Sequence, residues 1–284
     1  MKRSISPLRY PGGKASIFSM TNDVIESHGY MGGQYVEPYA GGCGLALTLF
    51  FKGVVNELYL NDIDRSIWAL WNAILNDANK LVNRITEIPI DMDEWYIQKA
   101  IQDDKENAEI LDLAVSTLYL NRTNRSGIIK AGVIGGKKQN GNYKMDCRFN
   151  RERLAEQIVH ISKSSDKIHF YNMDAVDFIN YIEELNLDKP ILMVDPPYYN
   201  KGQSLYTNFY KHDDHASIAD KLKETSLPWL LTYDNTPEIS ELYSEFNQYH
   251  FSINYSAARK RRGTELFITS RDFDLIKHDL LDTA

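Results

Sequence analysis

Residues 191–198, Ile-Leu-Met-Val-Asp-Pro-Pro-Tyr, constrain the fold of this chain more than any other stretch. A short apolar run bounded by turn residues reads as a strand buried on both faces, as in parallel sheets. Pro196 and Pro197 donate no backbone hydrogen bond and each fixes its own φ, so the strand must end at Asp195 in a rigid loop. Open α/β sheets bind ligands outside the carboxyl ends of their strands, where such a loop lies. A second stretch agrees. Residues 34–38 read as a short strand, Gly41, Gly42 and Gly44 as a turn, 45–51 as a helix and 54–61 as a strand that alternates and stops at acids. Strand, glycine turn, helix and strand, closing on an acid about twenty residues after the glycines, form the pattern of a nucleotide-binding α/β unit.

The rest of the chain fits around these pieces. Residues 15–27 have helical spacing, ended by Gly29, Gly32 and Gly33. From Ser66 to Leu120 the apolar period is helical, interrupted at Asp103-Asp104-Lys105-Glu106. Residues 121–150 lose that period and are rich in glycine, amides and cations, which predicts a functional loop or hairpin. A helix at 151–162 and a strand at 167–171 follow, and 227–233, 249–255 and 265–269 read as later strands. The chain has 284 residues, 43% of them apolar, enough for one large domain or a domain with an insertion. No apolar run reaches the roughly 20 residues of a membrane helix, and the amino terminus has no apolar run of a secretory signal. Cys43 and Cys147 lack metal-ligand spacing, so neither zinc nor a disulfide is expected, and a reducing cytoplasm fits best.

The formal net charge is -7, but it is unevenly spread. Between Asn121 and Arg153 nine cations (Arg122, Arg125, Lys130, Lys137, Lys138, Lys144, Arg148, Arg151 and Arg153) face only Asp146 and Glu152, so this window carries +7 and the remainder -14. A second cluster is Arg259-Lys260-Arg261-Arg262. Polyanion binding needs a local basic surface rather than a basic total, so the window is a candidate nucleic-acid contact.

Asp195 to Tyr198 suit a planar group that carries an amine. Asp195 can accept one amine hydrogen and the Pro196 carbonyl the other, Pro197 stiffens the loop, and Tyr198 can stack on the ring. An amine conjugated to a heteroaromatic ring is a poor nucleophile because its lone pair is delocalised. Two well-placed acceptors favour pyramidalisation and aim the lone pair, which is catalysis by orientation and electrostatics.

Five ordered motifs carry a family resemblance: Arg-Tyr-Pro-Gly-Gly-Lys at 9–14, Val-Glu-Pro-Tyr-Ala-Gly-Gly-Cys-Gly at 36–44, Leu-Asn-Asp-Ile-Asp at 60–64, Leu-Asn-Arg-Thr-Asn-Arg-Ser-Gly at 120–127, and Asp-Pro-Pro-Tyr at 195–198. The chain resembles the Dam-like, α-type adenine-specific DNA methyltransferases, and residues 255–269 are similar to the family's last segment. The resemblance implies a Rossmann-like S-adenosylmethionine-dependent methyltransferase fold, with a mixed, mostly parallel sheet and a helical target-recognition insertion. Residues 1–65 and 151–284 would form the catalytic domain and 66–150 the insertion. The implied reaction is site-specific transfer of a methyl group from S-adenosyl-L-methionine to the 6-amino group of adenine in double-stranded DNA, after base flipping. It assigns catalysis to Asp195, Pro196, Pro197 and Tyr198. It assigns cofactor binding to Tyr10, Lys14, Pro38, Gly41, Gly44, Asp62, Asp174 and Asp195. Asn121, Arg122, Arg125, Lys137 and Lys138 are the implied DNA contacts, no metal is implied, and a cognate restriction endonuclease is an admissible partner.

Three other readings compete. An RNA adenine methyltransferase could use the same pocket, although the insertion favours DNA. A methyltransferase for the exocyclic amine of cytosine tolerates the same loop but more often has serine in place of Asp195. A dinucleotide-dependent dehydrogenase would explain the glycine turn and Asp62 but leave the Asp-Pro-Pro-Tyr loop without a task. A 5-methylcytosine enzyme is disfavoured because neither cysteine follows a proline, and a non-catalytic DNA-binding protein would not need the amine clamp.

Overall fold

The computed structural model describes residues 5–9, 17–199, 210–255, 261–270, 273 and 281–283. Tyr10, Lys14, Arg259 and Lys260 lie outside the described residues. The first elements are α1 (Phe18–Ser27), β1 (Gln34–Glu37), α2 (Gly44–Phe51) and β2 (Glu57–Asn61). Five helices follow: α3 (Arg65–Asn76), α4 (Ala78–Glu87), α5 (Met92–Asp103), α6 (Ile110–Thr123) and α7 (Arg151–Ser162). Next come β3 (Ile168–Tyr171), α8 (Ala175–Glu184), β4 (Pro190–Val194), α9 (His212–Glu224) and β5 (Trp229–Asp234). The chain closes with α10 (Pro237–Leu242), β6 (Asn247–Tyr255), β7 (Arg261–Thr269) and β8 (Leu281–Thr283). The contacts separate into two units.

One unit holds the described residues of Lys14–Ala40, Leu45–Asn61 and Met173–Ala284. Its neighbouring strands run in the order β2-β1-β4-β5-β7-β6-β8. From β2 to β5 they are parallel, and β7 turns the remainder antiparallel. This is the expected mixed sheet, with β4 between two parallel neighbours. Its residues Ile191, Leu192, Met193 and Val194 are buried, as a strand covered on both faces requires. The second strand begins at Glu57 rather than at 54, because the preceding residues serve a turn. Gly32 N–H donates to the Val54 carbonyl at 2.8 Å and Asn56 N–H to that of Gly33 at 2.9 Å. β5 likewise starts after Pro228, which cannot donate to a ladder.

The other unit holds the described residues of Met1–Gly13, Gly41–Gly44 and Asp62–Asn172. It is built around α6, whose residues from Leu113 to Asn121 are all buried. A helix apolar around its whole circumference belongs in a core, and α3 and α5 pack on it. Its interior hydroxyls are satisfied: Ser116 Oγ donates to the Gln98 carbonyl and Thr117 Oγ1 to that of Leu113. α3 buries Ile67, Leu70, Trp71 and Ile74, an i, i+3, i+4, i+7 stripe. Its N-cap, Asp64, accepts from Ser66 N–H at 3.0 Å. The stretch after α6 contains short 3-10 turns at Arg125–Gly127 and Met145–Arg148 and an isolated bridge between Asn124 and Val133. Among the described residues no helix is long and apolar enough to cross a membrane.

Candidate active site

Asp195 follows β4 directly, at the strand's carboxyl end. Thr232 Oγ1, on β5, donates to its Oδ1 at 2.7 Å. Pro196 is buried behind it and Pro197 half-buried. The next two residues are also held by the sheet. The Tyr198 hydroxyl donates to Glu265 Oε1 at 2.6 Å, and Tyr199 N–H donates to Asp234 Oδ1 at 2.9 Å. Glu265 and Asp234 are directly opposed in the β5–β7 ladder, and both are buried. Two carboxylates side by side in a sheet are costly without donors. The loop supplies such donors, so loop and sheet satisfy each other. Tyr198, only 8% exposed, is thereby fixed in orientation.

Around the loop lies an aromatic cluster. Tyr39 and Tyr210 share a hydroxyl–hydroxyl bond of 2.9 Å. Burial, with the neighbouring Tyr210 second, raises Tyr39 well above the usual phenol range. His215 Nδ1 bonds the Tyr233 hydroxyl at 2.5 Å, and burial lowers the imidazole, keeping it neutral at physiological pH. The Tyr199 ring packs on that of His215, with centroids 5.0 Å apart.

Pro38 and Asp174 belong to the same unit as Asp195. Buried Asn61 links their loops, donating to the carbonyls of Pro38 at 3.1 Å and Met173 at 3.0 Å while accepting from Met173 N–H at 2.9 Å. Asp174 is exposed and caps α8, accepting from Val176 N–H at 2.8 Å.

The glycine turn and Asp62 lie in the other unit. Gly41 has φ +47°, a left-handed conformation that favours glycine. Both its backbone groups are engaged: N–H donates to Asp62 Oδ2 at 3.0 Å, and the carbonyl accepts from Trp71 Nε1 at 2.9 Å. A side chain at Gly44 would meet nothing within 4 Å, so the turn is open there. Asp62 Oδ1 accepts from Asp64 N–H at 2.8 Å. Burial, reinforced by the Asp64 carboxylate, pushes Asp62 up to about 7, against the pull of the two backbone N–H groups and Lys105. An anchored carboxylate with lone pairs to spare beside an open glycine turn can accept hydrogen bonds from a ribose diol.

In the same unit the basic window proves chemically mixed. Asn121 is buried: its Oδ1 accepts from Arg9 N–H at 2.8 Å, and its amide donates to the carbonyls of Arg9 at 2.8 Å and Gly127 at 2.7 Å. Arg122 donates to the Pro7 carbonyl, and burial lowers its guanidinium to about 10. Arg151 is turned onto the end of α4, donating to the carbonyls of Ile85, Thr86 and Ile88. By contrast Arg125, Lys130, Lys137, Lys138, Lys144 and Arg148 are exposed. Tyr143, among them, is 70% exposed.

A family model for D12 class N6 adenine-specific DNA methyltransferases matches residues 10–257. The chain belongs to this family. The family is described as one of N6 adenine-specific DNA methyltransferases, so the cytosine, RNA and dehydrogenase readings fall away. Two solved structures resemble the chain remotely. A putative class I S-adenosylmethionine-dependent methyltransferase from Listeria monocytogenes is 11% identical with a TM-score of 0.38, covering 93% of this chain. The enzyme spans 62% of that chain's length. Protein LPL1258 of Legionella pneumophila is 13% identical with a TM-score of 0.33, over 90% of this chain and 85% of that one. No curated protein matches.

Sequence reasoning missed Thr232, Asp234, Glu265 and Asn61. A signal was there for three of them: polar residues at alternate positions of the apolar strand 229–234, and a glutamate entering Leu-Phe-Ile at 266–268. Asn61 carried none apart from its place before Asp62.

Proposed function

We propose that the enzyme methylates an adenine flipped out of double-stranded DNA, with Asp195 orienting the amine. The observation that carries this reading is Asp195 itself, at the carboxyl end of a buried parallel strand, with its carboxylate held by Thr232. S-adenosyl-L-methionine supplies an electrophilic methyl group. Asp195 and the Pro196 carbonyl accept the two amine hydrogens, turning the nitrogen lone pair toward that group. The fixed ring of Tyr198 offers a face to the base. Asp62 takes the ribose hydroxyls, Gly41, Gly44 and Pro38 border the methionine portion, and Asp174 borders the cofactor adenine. Tyr10 and Lys14 complete the set by family resemblance. Residues 66–150 act as the target-recognition insertion. The free thiols of Cys43 and Cys147 support a cytoplasmic setting.

A base in a duplex cannot reach such a loop, so it must be extruded, which costs a few kcal/mol of stacking and pairing. Arg125, Lys137 and Lys138 hold the flanking backbone meanwhile, and exposed Tyr143 can stack on the disturbed duplex. Asn121 and Arg122 anchor residues 7–9 instead. Replacing Lys137 and Lys138 together by glutamine is expected to weaken binding to every sequence and flatten the log–log salt slope by about 2. A slope equal to that of the native enzyme would remove these lysines from the interface. Single-molecule sequencing of DNA from cells expressing the enzyme tests the whole reading. It should find N6-methyladenine in one sequence context, and modification confined to RNA would overturn it.

The raised Asp62 gives a pH signature. The ionised carboxylate accepts the ribose hydroxyls, so cofactor affinity should rise as pH passes through about 7 and then level off. The folded state keeps a proton that the unfolded chain loses near 3.8, so this group's contribution to stability declines from there up to about 7. Calorimetry between pH 6 and 8 checks the first, with Asp62→Asn expected to bind more weakly and without that slope. An identical slope in the variant would assign the titration elsewhere.

A further inference from the structure

We propose that Thr232 is a positioning residue for the methyl transfer, the central member of a frame with Asp234 and Glu265 that presets Asp195 before DNA arrives. The inference rests on the reading of Asp195 as the amine acceptor and goes beyond it. Asp195 sits on a loop, and loops hold catalytic geometry less precisely than strands unless supporting bonds fix them. Three such bonds come from the sheet. Thr232 and Asp234 are two apart on β5 and so share a face. They hold Asp195 and the Tyr199 N–H at opposite ends of the loop. Glu265, paired with Asp234 across the ladder, holds Tyr198 between them.

Thr232 is the member that touches the reacting carboxylate. A carboxylate can only accept, so the hydroxyl proton of Thr232 points at Asp195 Oδ1 and pins the rotation of the carboxylate plane. Thr232 is 2% exposed and sits in a central strand, so the donor side of this bond is fixed within the sheet. Without it the carboxylate can turn about its own bond. A misplaced acceptor loses transition-state orientation while leaving ground-state binding nearly intact.

Three variants test this. Thr232→Val keeps the shape and removes the hydroxyl; Thr232→Ala removes it without risk of crowding; Thr232→Ser restores it. With saturating cofactor and duplex DNA, valine and alanine are expected to lower kcat about 10- to 100-fold while KM for DNA and cofactor stay within about threefold, one hydrogen bond's worth or less. Serine should recover kcat to within a few-fold of native. A native kcat in a folded valine or alanine variant would overturn the inference. So would a serine variant no better than alanine, which would mean that the methyl group matters and not the hydroxyl. If valine and alanine both fail to fold while serine folds, the hydroxyl serves the fold rather than the methyl transfer, and the inference is overturned. Asp195→Ala in parallel separates the two ideas. An inactive Asp195→Ala beside a fully active Thr232→Val sinks the frame alone, whereas an active Asp195→Ala sinks the amine-acceptor reading beneath it.

Discussion

Asp195→Ala is expected to reduce kcat by about 100- to 1000-fold, the range seen when one preorganised polar group is removed from a developing charge. The variant should still fold. The carboxylate is a partner of Thr232 rather than a piece of apolar core, so its loss leaves one buried hydroxyl without this acceptor, at about 1–3 kcal/mol. Melting temperature and circular dichroism establish folding, and single-turnover assays with labelled cofactor give the rate. A folded variant with native turnover would move the amine acceptor elsewhere. The kcat loss should exceed that of Thr232→Val, because the acceptor is gone rather than misaligned.

The second large effect concerns stability. Asn121→Ala strips partners from Arg9 N–H, the Arg9 carbonyl and the Gly127 carbonyl at once. Each unsatisfied buried group costs about 1–3 kcal/mol, so a loss of about 2–4 kcal/mol is expected after relaxation and entry of water. In a domain of this size that lowers Tm by roughly 5–15 °C. Gly127→Ala should do comparable damage by another route. Gly127 has φ +78°, and an added Cβ would lie 2.4 Å from the Arg9 carbonyl oxygen. In sequence, residues 7–9 precede Tyr10 and Lys14, the proposed cofactor contacts, so both variants should also weaken cofactor binding. An Asn121→Ala melting curve within 1–2 °C of native would show that these bonds contribute nothing net.

These two variants separate what was legible in the chain from what was not. The Asp-Pro-Pro-Tyr loop could be read because its signal is local. An apolar run that meets two prolines has few conformations open to it, and its position after a parallel strand is set by the same residues. The glycine turn and Asp62 were legible for the same reason, the left-handed φ of Gly41 being affordable to few residue types. Helix content in the second unit followed from period alone, but the last turn of α6 did not. Asn121, Arg122 and Thr123 read as the start of a polar loop, yet they are helical, because burial against residues 7–9 supplies partners that the sequence does not display.

Sequence by itself determined which buried strand ends in Asp-Pro-Pro-Tyr, which glycine turn precedes Asp62, and that an acidic chain carries a basic window. Each is a property of consecutive residues and their φ, charge and hydrogen-bonding limits. Only the tertiary structure decided which side chains bond the Asp195–Tyr199 loop and which cations face solvent. Thr232 lies 37 positions from Asp195, and Glu265 lies 67 from Tyr198. Sheet order brings them together, and no local pattern encodes it. Arg122 and Arg151 counted as positive charge in the sequence, but each is turned onto backbone carbonyls. A guanidinium can satisfy backbone carbonyls as well as bind phosphates, and which it does here is set by what the fold places within reach.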